Sequence, residues 1–146
     1  MIQVDYYTSA VDRLLIACRL CAKVVQQLQR MLILSDDSLQ LTQLDKLLWT
    51  FSQVSFVPHC FINDKLASVT PIILGSPMQA ETSGVWGCNI LLNLHEEILP
   101  CYQQFQRVIE IVGNTDRDKE RARNRYRMYQ AQGCHVRHHN LDKSPH

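Results

Sequence analysis

Two hydrophobic periods alternate along the first third of the chain. Residues 2–7, IQVDYY, alternate loosely and are rich in β-prone types, which predicts a first strand. Over residues 9–28 the apolar positions Val11, Leu14, Leu15, Cys18, Cys21, Ala22, Val25 and Leu28 recur with helical spacing. A helix of about five turns is expected there, capped by Thr8 or Ser9. The unbroken apolar run MLIL at Met31–Leu34 is the pattern of a strand buried on both faces. Asp36, Asp37 and Ser38 then offer caps for a helix through Trp49, with Leu41, Leu44, Leu47 and Leu48 on its inner side. Strand, helix, strand, helix is the order of an α/β domain with parallel strands.

The middle of the chain is less regular. Residues 51–59, FSQVSFVPH, are aromatic and turn-rich, and Pro58 argues against a central strand. Asn63 and Asp64 mark a turn. Residues 71–74 and 89–94 read as strands, separated by a loop holding Gly75, Pro77, Gly84 and Gly87. Residues 96–105 suggest a short helix weakened by Pro100, and residues 107–112, RVIEIV, alternate as a strand. A last helix follows, with Asn114 or Thr115 as cap and Gly133 as stop. The expected organisation is one α/β domain over residues 1–134, a three-layer α/β/α sandwich around a mostly parallel sheet. Residues 135–146 are expected to form a polar, frayed tail.

Charge changes this picture at one place. The 146 residues carry a net charge of +1, so the protein as a whole is not a polyanion binder. Yet residues 117–127 hold six cations in eleven positions. On a helix, Lys119, Arg123 and Arg127 rise along one face with Tyr126 beside them, while Ala122 and Tyr129 turn elsewhere, toward a core. Such a row suits a carboxylate-bearing ligand or a phosphate chain; a solvated charged face is the plainer alternative. No apolar run reaches the length of a membrane span, and the N-terminus lacks the features of a signal peptide. A cytoplasmic protein with six reduced cysteines is therefore expected.

Most catalytic and cofactor chemistries find no support. A dinucleotide site needs glycines at the first strand-to-helix turn, and here that turn reads Tyr7-Thr8-Ser9-Ala10. The fold is thus expected to be Rossmann-like without a nucleotide-binding glycine loop, and no cofactor is expected. Asp36 and Asp37 are better read as helix caps than as ribose ligands. Cys18 and Cys21 form a C-x-x-C inside a helix without a second pair, so they read as core residues and no metal is expected. His59 stands beside Cys60, but no acid sits in a recognisable pattern to orient that imidazole. The histidines at 135, 138, 139 and 146 read as a polar tail. No catalytic residue is nominated. Trp49 and Phe56, at a helix end and in the irregular stretch after it, either close the core or anchor a protein partner.

Several stretches taken jointly resemble the chi subunit family of bacterial DNA polymerase III holoenzyme. They are LDKLLW at 44–49, SFVPH at 55–59, RMLILSDD at 30–37, VIEIVG before the last helix, and the K-x-x-x-R-x-x-Y-R pattern at Lys119, Arg123, Tyr126 and Arg127. Order and spacing agree over nearly the whole chain. The chain departs from the family pattern in lacking several residues after the first strand and in its histidine-rich tail. The resemblance implies a non-catalytic clamp-loader accessory protein. It further implies a site for the acidic, hydrophobic C-terminal tail of single-stranded DNA-binding protein, made by Lys119, Arg123, Tyr126 and Arg127 with Val112 in its apolar wall. Trp49 and Phe56 match aromatics associated with the surface for the psi subunit, and with a helicase competing for it. DNA would then be met only indirectly, and no membrane is involved. A different class, direct binding of single-stranded nucleic acid by the basic helix, stays open from the residues themselves.

Overall fold

A computed structural model describes residues 1–84 and 87–142. The expected MLIL strand explains the architecture around it. In β2 (Met31–Leu34), Met31 and Ile33 face one core, and Leu32 and Leu34 face another. A strand buried on both faces needs a layer on each side. One layer is α1 (Arg13–Gln26) and α2 (Ser38–Thr50), packed through Ala17, Cys18, Cys21, Leu41 and Leu44. The other is α3 (Pro77–Ser83) and α4 (Asp116–Ala131), packed through Ala80, Ala122 and Tyr129. The remaining strands are β1 (Gln3–Ala10), β3 (His59–Phe61), β4 (Ile72–Gly75), β5 (Ile90–Asn93), β6 (Arg107–Gly113) and β7 (His135–Asn140). Their order is β3-β4-β2-β5-β6-β1-β7, and every recorded pairing is parallel. The fold is the three-layer α/β/α arrangement. No helix among the described residues is long and apolar enough to cross a membrane.

Five elements differ from their sequence reading, four of them modestly. The first helix begins at Arg13, capped by the Asp12 side chain, rather than after Thr8 or Ser9. The strand before it runs on to Ala10, because one additional residue is absorbed there. Tyr7 pairs with Ile111 and Ala10 with Gly113, so β1 bulges across Thr8 and Ser9. Ser9 takes φ +65°, an uncommon conformation for a residue with a Cβ. Residues 77–83 form α3 instead of a loop, since Ser76 and Gln79 make a reciprocal capping box and Pro77 fits the first turn. The short helix expected over 96–105 shrinks to a 3-10 turn at Pro100–Gln104.

The largest correction concerns the expected frayed tail. Residues 135–140 form β7, an edge strand in register with β1 from Gln3↔His135 to Thr8↔Asn140. Its sequence, HVRHHN, has the alternation of a strand but almost none of its hydrophobicity. What holds it is charge. The fully buried Asp5 carboxylate accepts from Arg107 Nε at 2.5 Å, from Arg137 Nε at 3.0 Å and from His139 Nε2 at 3.2 Å. His139 also stacks on Tyr7 at 4.6 Å, and Val136 packs against the α4-side core. Burial alone would raise the Asp5 carboxyl, but the hydrogen bonds from Arg137, Arg107, Gln3 and His139 outweigh it and hold it well below the usual carboxylate range. His146 lies outside the described residues.

Candidate functional site

The chain path creates a crevice at the carboxyl ends of β1 and β6. From β1 the chain enters α1 on one face and travels to β2. From the adjacent β6 it enters α4 on the opposite face and crosses to β7, beyond β1. Connections leaving in opposite directions open the sheet's carboxyl edge at that point, where ligands of open α/β folds bind. A pocket of about 680 Å³ lies there, lined by Tyr6, Thr8, Ser9, Val112, Gly113, Lys119, Ala122, Arg123, Tyr126, Arg127, Gln130 and His138. All five residues expected at one site, Val112, Lys119, Arg123, Tyr126 and Arg127, are among them. No dinucleotide glycine loop frames it: the first turn instead offers the Thr8–Ser9 bulge.

The six cations of α4 and its first turn divide into two sets. Arg117 and Arg121 pair with Glu96, and Arg125 with Glu110. Lys119, Arg123 and Arg127 have no carboxylate partner recorded among the described residues, and these three are the ones that line the pocket. The helix is aimed by its cap. The Thr115 hydroxyl accepts from Asp118 N, and Gly133 at φ +82° ends the helix after Gln132. A Cβ at Gly113 would stand 2.5 Å from Asp118 Oδ2, so β6 runs close under the first turn of α4 and a larger residue there would push the Asp118 carboxylate aside.

An aromatic wall meets the cationic row. Tyr6 is buried, and its hydroxyl donates to Ala122 O at 3.2 Å. Burial and the neighbouring Glu110 raise its phenol further above an already high value, so it stays neutral. Tyr126 stands edge-on to Tyr6 at 6.0 Å and 5.2 Å from the His138 ring, and its hydroxyl accepts from Gln130 Nε2 at 2.8 Å. Tyr6 and His138 were invisible as site residues in the sequence. The first read only as a strand residue and the second as tail. The parallel pairing of β7 with β1 brings both beside α4.

Under this surface lies a buried ionic network. Glu110, 1% exposed, accepts from Arg125 Nε at 3.1 Å, Tyr129 Oη at 2.7 Å and Asn93 Nδ2 at 3.0 Å. Arg125 also donates to Glu96 O at 2.6 Å. Burial pushes the Glu110 carboxyl up, and Arg125, Tyr129 and Asn93 pull it only part of the way back. Arg125 is therefore a strut of the α4–β6 interface, although the sequence shows it as one more cation in a row.

On the far side of the molecule, Trp49 and Phe56 are 58% and 69% exposed and stand 5.9 Å apart. Of the two roles open for them in the sequence, core closure is not the one the fold uses: they form a surface platform, with exposed Val54 on the same loop.

These features meet a match over the chain. The family model described as DNA polymerase III chi subunit, HolC, covers residues 1–137. The chain belongs to the chi subunit family. It is similar to DNA polymerase III subunit chi of Pseudomonas aeruginosa, 29% identical over 147 residues that cover 98% of this chain and 99% of that protein. It is also similar to the chi subunit of Escherichia coli K12, at 30% over 128 residues, 88% of this chain and 84% of that one. The chi subunit of Haemophilus influenzae is 28% identical over 121 residues, 83% of this chain and 82% of that one. The family is one of accessory subunits of the replicative polymerase.

Cys18 and Cys21 lie fully buried on the inner face of α1. Burial pushes the Cys18 thiol up to about 12 and that of Cys21 well above its ordinary value, so both favour the neutral thiol. Cys88 is likewise pushed up to about 11. His59, read as lacking an orienting acid, has one: its Nε2 lies 3.1 Å from Asp45 Oδ1, on α2. Their separation of 14 positions hid the pair from a reading by local motif.

Proposed function

We propose that this chi-family protein is a non-catalytic linker in the cytoplasmic replication machinery. Through Trp49 and Phe56 it holds the psi subunit of the clamp loader, and through the pocket over α4 it holds the C-terminal tail of single-stranded DNA-binding protein. A helicase presenting a similar surface competes with psi for the aromatic platform. DNA is contacted only through the bound partner, and no cofactor takes part.

The observation that carries the tail reading is the split of α4 cations. Lys119, Arg123 and Arg127, the three for which no acid partner is recorded among the described residues, converge on a pocket whose buried lining includes Tyr6, Val112 and Ala122. A tail with a terminal carboxylate, upstream acids and a last aromatic side chain complements both halves. Arg123 offers a planar fork to the carboxylate, which a lysine cannot reproduce. Lys119 and Arg127 face the neighbouring acids, and the apolar lining takes the ring. Exposed charges are screened over a Debye length of about 8 Å, so binding weakens with salt, which suits a contact exchanged repeatedly during lagging-strand synthesis. A track for single-stranded DNA would need successive stacking aromatics along an open groove. Titration of a labelled tail peptide, and of labelled single-stranded DNA, by fluorescence anisotropy tests the assignment. Saturable, salt-sensitive binding of the peptide alone is expected. Tight binding of the DNA by the isolated protein would reverse it.

A further inference from the structure

The loop between α2 and β3 carries Phe56, and α2 carries Trp49. The two rings belong to different segments, yet they form one platform. Between and beneath them sits His59, the first residue of β3, whose side chain is 0% exposed. Its ring lies 4.8 Å from the Trp49 indole. Its Nδ1 is 2.7 Å from Val57 O, in the loop and next to Phe56, and its Nε2 is 3.1 Å from Asp45 Oδ1, one helical turn before Trp49. We propose that His59 is the positioning residue of the aromatic platform, its ring tying the Phe56 loop to the Trp49 helix.

The chemistry of the two bonds makes the tie depend on a proton. Both partners are acceptors, a backbone carbonyl and a carboxylate. A neutral imidazole carries one N–H and can satisfy one of them; the imidazolium carries two and satisfies both. The charged group facing the ring is Asp45 on α2. The other neighbours are neutral: Trp49 on the same helix, Val57 in the loop, and Ile72, the register partner of His59 on β4. When the ring is neutral, one nitrogen lone pair faces an oxygen in a buried place, and either the loop or the helix side must give. This deepens the reading of the platform as the psi surface and rests on it for its functional consequence.

The test separates the two. In a Trp86→Phe background, Trp49 emission is followed from pH 5 to pH 8. An imidazolium in contact with an indole quenches it, so a single-proton rise in emission with pH is expected. His59→Gln should abolish the pH dependence of the emission, and Asp45→Ala should alter it by removing the carboxylate that Nε2 faces. Purified psi is then titrated against the full chain. Loss of a buried hydrogen bond at this site should weaken psi binding about tenfold in His59→Gln, with circular dichroism unchanged. Asp45→Ala gives a second route should His59→Gln fold poorly, because it removes one bond from the partly exposed partner. Emission independent of pH overturns the proposal. So does wild-type psi affinity in both variants when Trp49→Ala has lost it. If Trp49→Ala itself binds psi normally, the psi assignment fails, and the fluorescence titration alone decides whether His59 positions the platform.

Discussion

Two sides of one helix use the same residue types for opposite ends. On one side of α4, Arg117, Arg121 and Arg125 are spent on acids of the fold, Glu96 and Glu110. On the other, Lys119, Arg123 and Arg127 project over a pocket where no acid among the described residues meets them. Composition cannot distinguish the sets, since the six cations are spaced two apart and five of them are arginines. Only the placement of Glu96 and Glu110 does. A cation whose charge the fold has already balanced is structural. A cation left unbalanced beside an apolar cavity is available to a ligand, and losing it should cost binding rather than stability.

The strongest test of that division is Arg125→Ala. The substitution leaves Glu110 buried with its hydrogen bonds from Tyr129 and Asn93 but without its counter-charge. Breaking a buried pair by removing one partner costs about 3–5 kcal/mol, so chemical denaturation should show the largest loss of any α4 variant. A loss of under about 1 kcal/mol would mean that Glu110 is already neutral and Arg125 idle.

Next comes Asp5→Asn, which tests whether the pocket's outer wall depends on a cluster on the opposite sheet face. Asparagine keeps the shape but loses the charge that gathers Arg107, Arg137 and His139. Hydrogen bonds to charged groups contribute about 1.5–3 kcal/mol, so destabilisation near that figure is expected, with hydrogen exchange fastest in β7. Peptide affinity should also fall, because His138 moves with the strand. The pH dependence has a defined sign. The folded carboxyl lies below its unfolded value, so the stabilisation is complete above about pH 4 and is lost as the pH falls through the folded value. Asp5→Asn should flatten that acid limb of a stability-against-pH curve, and an unaltered limb would refute the assignment.

How much of this was legible beforehand follows from range. The strands at Met31–Leu34 and Arg107–Gly113, and the helices capped at Asp37 and Thr115, announce themselves through periodicity and caps within a few residues. The five residues expected at one site line one pocket, since four lie on one helix face and Val112, which only the family resemblance had named, lies on the strand leading into it. What stayed hidden depends on distant partners. β7 is polar and is held by Asp5, about 130 positions away, so its own sequence reads as tail. Arg125 and Arg123 look alike until Glu110 is placed. Asp45 and His59 meet only when α2 packs beside β3. Whether Trp49 and Phe56 face the core or solvent depends likewise on the path of the loop between them.

Arg123→Ala probes the unbalanced side directly. A surface arginine without an ion pair contributes within about 0.5 kcal/mol to folding, so the melting temperature and the psi complex should be unchanged. Removing one member of a charged, hydrogen-bonded contact in a half-open site should lower tail-peptide affinity at least about tenfold, the lower end of the range for such pairs. Arg123→Lys should recover only part, because the fork is lost. Equal loss of peptide and psi binding would show that the residue supports the fold and not the pocket.

The smallest expected effect makes the sharpest comparison. Arg121→Ala removes the same charge from the same helix, two residues from Arg123, so both variants change the net charge and the long-range potential equally. Arg121 differs in being turned to Glu96, which is itself more than half exposed. An exposed pair of this kind is worth about 0–1 kcal/mol, so stability should hardly move. Glu96 keeps Arg117 as a partner in the variant, and any change in its field reaches no further than a Debye length of about 8 Å at physiological salt. Peptide affinity measured at that salt should therefore stay within about twofold of the wild type, because a factor of two is below the 1.4 kcal/mol of a single decade. If Arg121→Ala instead weakened the peptide as much as Arg123→Ala, the ligand would be responding to the summed field of the helix. The contrast between balanced and unbalanced cations would then have no bearing on recognition. If only Arg123→Ala loses affinity, the site is local, and its specificity lies in where the fold withholds an acid.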